Sequence, residues 1–137
     1  MRLFVDTSSL FKKYVEESGS EDFGRLLEKA SEIAVSPTTW IEMNNVIERR
    51  LREKHLTPEK AALLRAEIKK DFVYFFVVVW NENLENKAVE LTRQHALKTM
   101  DVIHLASGVL SGAEIFVTSD HPLCLAAKKV IREVRLV

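Results

Sequence analysis

The chain has 137 residues, enough for one domain with its own hydrophobic core, and 47% apolar against 29% charged residues exclude a disordered polymer. Its 20 basic and 20 acidic residues cancel, so the basic excess usual in nucleic-acid binders is absent and any such role must rest on local asymmetry or on bound cations. Cys124 is the only cysteine, which excludes an internal disulfide and a cysteine-rich zinc site. The longest apolar stretch, 72–80, is too short for a membrane helix, and the opening RLFVD lacks the apolar core and cleavage site of a secretory signal. A soluble, cytoplasmic protein without a membrane partner is expected.

In chain order, Leu3, Phe4 and Val5 form a strand ending at Asp6, and 8–17 carries helical spacing at Leu10, Phe11 and Tyr14. Ser18 and Gly19 break that helix and 20–30 restarts one, with Ser20 as its expected cap. A second strand at 32–36 stops at Pro37, which tolerates the start of a long helix over 38–55 with Trp40, Met43, Ile47 and Leu51 as its buried stripe. Thr57 as cap and Pro58 as first residue open another helix through 72, making a helical hairpin. The run 75–80, FFVVVW, has no alternation and reads as a strand covered on both faces. A helix over 84–97 follows, with Leu84, Ala88, Leu91 and Ala96 on one side, then a helix opening at Thr99. The chain closes with a strand ending at Asp120, a helix over 121–130 and a terminal edge strand at 133–137.

This order predicts a single α/β domain over 1–137, with a mainly parallel sheet of about five strands flanked by helices on both faces. Ligands in such sheets bind at the carboxyl ends of the strands. Asp6 and Asp120 lie at two such ends, Glu42 is near the start of the helix leaving a third, and Asp101 is in the first turn of the helix opening at Thr99. Taken singly, Asp6 and Asp120 could be helix caps, Glu42 a solvated helix residue and Asp101 a complement to a helix dipole. Their shared edge favours one cleft instead. Like charges so gathered raise one another's pKa unless a cation joins them, and oxygen-only ligands suit Mg²⁺ or Mn²⁺ better than zinc. Such an ion acidifies bound water and offsets phosphate charge, which suits phosphodiester hydrolysis.

The segments RLFVDTSSL, SPTTWIEM, LKTMDVIHLA and FVTSD, in this order and at these separations, resemble the PIN domain family, especially the toxin ribonucleases of VapBC toxin–antitoxin modules. The resemblance spans essentially the whole chain. It implies a Mg²⁺- or Mn²⁺-dependent endoribonuclease with Asp6, Glu42, Asp101 and Asp120 as metal-binding catalytic acids. It also implies an RNA substrate, a cognate antitoxin that covers the cleft, and a homodimer. The alternative is a catalytically silent module that binds RNA or protein. A dehalogenase-like phosphatase would need an acid where Ser8 stands, and a receiver domain would need one where Trp80 and Asn81 stand.

Around the acids, the hydroxyls of Thr7, Thr118 and Ser119 could hold a carboxylate, a water or a phosphate, or could serve only in local turns. His104 lies one turn after Asp101, and a hydrogen-bonded structural role is favoured over acid–base catalysis. Arg49, Arg50, Arg52 and Lys54 are either a solvated helix end or a basic rim that meets the RNA backbone.

Overall fold

A computed structural model describes residues Met1–Val137. Five strands, β1 (Arg2–Val5), β2 (Glu32–Val35), β3 (Phe76–Val77), β4 (Ile115–Thr118) and β5 (Val134–Leu136), form one sheet in the order β3-β2-β1-β4-β5. Every pairing is parallel, with Phe4 opposite Ala34 on one side and Phe116 on the other. Parallel neighbours demand long crossovers, and helices supply them. These are α1 (Thr7–Phe11), α2 (Ser20–Leu27), α3 (Thr39–Arg52), α4 (Pro58–Phe72), α5 (Glu82–Gln94), α6 (Thr99–Leu110) and α7 (His121–Ala127).

Both faces of the sheet are covered, which is why its central strands read as unbroken apolar runs. Alternation along β1 sends Leu3 and Val5 to one face, where they join Phe23, Met43, Ile47 and Ile68 from α2, α3 and α4. Phe4 points to the other face, among Leu84, Leu91, Leu105 and Leu123 from α5, α6 and α7. Phe4 and Phe116 stack with ring centroids 5.2 Å apart, and α6 crosses above them at Gly108. A Cβ on Gly108 would lie 2.5 Å from the Phe116 ring. Gly108→Ala is therefore expected to destabilise the protein by about 1–2 kcal/mol, since overpacking outweighs the gain in helix propensity. A fall in the urea midpoint at unchanged m-value would record it.

Four local expectations need correction. The first helix ends at Phe11 instead of running to 17, because the N–H groups of Lys12, Lys13 and Tyr14 each bond a carbonyl three residues back and tighten the chain into turns. Ser20 does not cap α2; its hydroxyl accepts from Glu17 N–H and donates to the Val15 carbonyl, while Gly19 holds the cap position at φ +89°. The FFVVVW run supplies only the two-residue edge strand β3, with Phe76 and Val77 partly exposed and Val79 and Trp80 outside it. Asn81 caps α5 by accepting from Leu84 N–H, and His95 is extended, so Ala96 falls beyond the helix and is exposed.

The strand order fixes where a site can form. From β1 the chain proceeds outward through β2 and β3 on one side, and later through β4 and β5 on the other. The direction reverses between β1 and β4, and a crevice opens at the carboxyl ends of these two strands. Asp6 follows β1 and Asp120 follows β4 by two residues.

Candidate active site

Asp6 is buried and its carboxylate is fully engaged with the chain around it. Oδ1 accepts from Ser9 N–H at 3.0 Å and Ser8 Oγ at 3.1 Å, making Asp6 the cap of α1, while Oδ2 accepts from the buried Thr118 hydroxyl. Thr118 closes the loop by accepting from Asp120 N–H at 3.0 Å. Asp120 in turn caps α7, Oδ2 accepting from Leu123 N–H at 2.8 Å. Ser119 is joined to Ser9 by a hydroxyl pair at 2.9 Å, which ties the β4 end to α1. Both aspartates are thus helix caps as well as neighbours in the crevice, because the crossovers that follow β1 and β4 begin at that edge.

Asp101 stands differently. It occupies the first turn of α6, half-buried, and its carboxylate makes no hydrogen bond. Burial pushes its pKa up, and the charges of Asp120 and Asp6 push it further, so that the pull of His104 and Lys98 does not restore the ordinary value. Three carboxylates therefore share one field, and the one without a partner bears the cost.

Glu42 is turned toward a separate anchor. Its Oε1 accepts from His104 Nε2 at 2.6 Å, Thr7 Oγ1 at 2.9 Å and Thr38 Oγ1 at 3.2 Å, leaving Oε2 without a hydrogen bond. Burial alone would raise its pKa, but the bond and charge of His104, with the two hydroxyls, hold it below the usual glutamate range. His104 is the buried centre of this edge, 2% exposed. Its burial opposes protonation, yet the bond and charge of Glu42, joined by Asp6 and Asp101, outweigh that and raise its pKa. The Glu42 carboxylate only accepts, so the Nε2 proton is the one His104 keeps. Nδ1 is buried without a partner, and a second proton there adds an unpaired donor costing about 1–3 kcal/mol, which moderates the upward push.

No three of the Asp, Glu, His or Cys side chains are arranged as they stand to hold a metal ion, because Asp6 and Asp120 face their caps and Glu42 faces His104. The chemistry of the donor set nevertheless fits a hard divalent cation. Asp101 is unpaired and raised by burial and by its acidic neighbours, Oε2 of Glu42 is free, and His104 has its Nε2 committed to Glu42. Oxygen-only donors of this kind suit Mg²⁺ or Mn²⁺.

Thr38 and Ser8 contribute bonds that the sequence reading did not single out. Thr38 had a signal, since it precedes Glu42 by one helical turn. Of the basic run, Arg50 donates to Glu17 at 3.3 Å and stands 4.7 Å over the Phe11 ring, while Arg49, Arg52 and Lys54 are exposed. Cys124 is buried on α7. No helix is long and apolar enough to cross a membrane.

Residues 3–129 match the sequence profile of the PIN domain. No curated protein is significantly similar in sequence. Among solved structures, a toxin–antitoxin complex from Klebsiella pneumoniae is similar at 23% identity over 88% of this chain and 87% of that one, with a TM-score of 0.62. VapBC2 from Rickettsia felis, bound to a DNA fragment from its promoter, is similar at 12% identity, covering 100% and 99%, with a TM-score of 0.69. FitAcB from Neisseria gonorrhoeae is similar at 15% identity, covering 96% and 95%, with a TM-score of 0.65. At these identities the likeness is one of fold.

Proposed function

Because this chain belongs to the PIN domain family, we propose that it is a metal-dependent endoribonuclease, the toxin of a toxin–antitoxin pair. The observation that carries the reading is Asp101, an unpaired carboxylate pushed up by burial, Asp120 and Asp6 at the reversal point of a parallel sheet. Asp6, Glu42, Asp101 and Asp120 are the residues we assign to holding Mg²⁺ or Mn²⁺. When bound, such an ion acidifies water and offsets the negative charge that develops on a phosphodiester during hydrolysis.

The protein's own part is to fix the oxygens beforehand. Ser8, Ser9 and Thr118 hold Asp6 from both sides, and Thr7, Thr38 and His104 hold Oε1 of Glu42, so that Oε2 is the atom presented. His104 acts through Glu42 and is a positioning residue, its buried ring committed through Nε2 to Oε1 of Glu42. The similarity in fold to a chain of a solved toxin–antitoxin complex and to VapBC2 supports a cognate antitoxin as partner. Pairing with a second copy rests on family membership alone.

Induced expression is expected to arrest growth, and purified protein to cleave RNA in Mg²⁺ or Mn²⁺ but not in EDTA. Asp6→Asn, correctly folded by circular dichroism, is expected to lose both effects. Retention of RNA cleavage by that variant would refute the assignment, and RNA binding without turnover under every metal would favour a silent binding module.

A further inference from the structure

A groove of about 440 Å³ runs between α1 and α3 and reaches Glu42 of the acidic site. Thr7, Ser8 and Glu42 line its inner end, and Asn45, Arg49 and Arg50 continue it along α3. Glu42, Asn45 and Arg49 follow at steps of three and four residues, which places them on one helix face. Seven residues of helix put Arg49 about 10 Å from Glu42 along the axis.

The two arginines are in different states. Arg50 is half-buried, paired with Glu17 and laid over Phe11, so its guanidinium is already used. Arg49 is exposed and makes no ion pair or hydrogen bond, and the exposed Asn45 amide is equally unpartnered. Phe11 and Val46 are the only apolar residues along the groove, and Arg50 covers Phe11. An amphipathic peptide would find little to bury there, whereas an unneutralised guanidinium beside an amide donor matches the oxygens of a phosphate backbone.

We propose that a single-stranded RNA lies in this groove, with Arg49 and Asn45 binding a backbone phosphate next to the one presented to the acids. The proposal rests on the ribonuclease reading and names where its substrate is held. A cleft lined by carboxylates repels a polyanion, so a cation beside it is needed to keep the strand in place, and a net charge of zero means that local placement must supply it. With its one aromatic residue covered, the groove grips the backbone and not the bases.

The test is binding of short labelled single-stranded RNAs of unrelated sequence, in EDTA, across a series of salt concentrations. Arg49→Ala should weaken binding about tenfold for every sequence and reduce the magnitude of the salt slope by about 0.7, the value for one phosphate contact on a single strand. Arg49→Lys should recover part of the affinity. Arg132→Ala removes the same charge just before β5, at the opposite edge of the sheet, and should change neither quantity. Wild-type affinity and slope in Arg49→Ala, or an equal loss in Arg132→Ala, would overturn the groove while leaving the ribonuclease reading intact. A wild-type protein that binds no RNA in EDTA would overturn the groove, whereas the ribonuclease reading falls only if RNA is left uncut in Mg²⁺ and Mn²⁺.

Discussion

Asp101→Asn is expected to abolish RNA cleavage while making the metal-free protein more stable, two effects of opposite sign from one atom change. The loss of activity should reach about 10³-fold, the scale on which removing one preorganised electrostatic group tells. The gain in stability follows from the raised pKa of Asp101. For an acid whose folded pKa lies above its unfolded value, ionisation costs more in the folded state. That cost is absent below the unfolded pKa, builds as pH rises from the unfolded value to the folded one, and is full above the folded value. Asparagine does not carry it. In EDTA at neutral pH the variant should therefore melt higher than wild type, and the gap should close as pH falls toward the ordinary aspartate value of 3.8. Excess Mg²⁺ should reverse the ranking, because an ion bound only by the folded wild type at a hundred times its Kd stabilises by about 2.7 kcal/mol. A variant that is less stable in EDTA, or that gains as much from Mg²⁺ as wild type, would remove Asp101 from the metal site.

The sequence made this edge of the sheet legible because strand ends and helix starts are marked by short-range signals. Val5 followed by Asp6, Thr118 followed two residues on by Asp120, and Thr57 with Pro58 all lie where local chemistry placed them. Position within the sheet is a different kind of information. FFVVVW has the composition of a buried strand, yet it pairs only through Phe76 and Val77 at the edge, a placement set by crossovers and not by its own residues. The same limit applied within the site. Spacing showed that four acids could meet at one edge, but not that Glu42 would turn to His104, 62 residues away, while Asp101 was left to face Asp6 and Asp120. Arg49 and Arg50 are adjacent and chemically identical, and Phe11 at the end of α1 with Glu17 beyond the turns that follow it distinguishes them.

His104→Ala should be the most destabilising change at the site, by about 3 kcal/mol, because it leaves the mostly buried Glu42 carboxylate, 24% exposed, without its charged partner. Cleavage should fall about 10–100-fold as Glu42 loses its orientation, the range seen when a group that positions a ligand is removed. His104→Gln can still donate to Oε1 and should recover part of both losses. Altered pH dependence separates a coupled pair from simple packing. The lowered Glu42 pKa contributes stability above the ordinary glutamate value of 4.5, and loses it as pH falls through the folded value. The raised His104 pKa contributes fully below the ordinary histidine value of 6.5, and loses it as pH rises through the folded value. The pair is therefore worth most between these two values. The stability difference between wild type and His104→Gln, from urea unfolding at a series of pH values, should be largest between the ordinary glutamate and histidine values and shrink as pH rises through the folded value of His104. Gln supplies packing and one hydrogen bond but no charge, so a difference that stays flat, or grows, as pH rises would show that His104 holds Glu42 through shape alone.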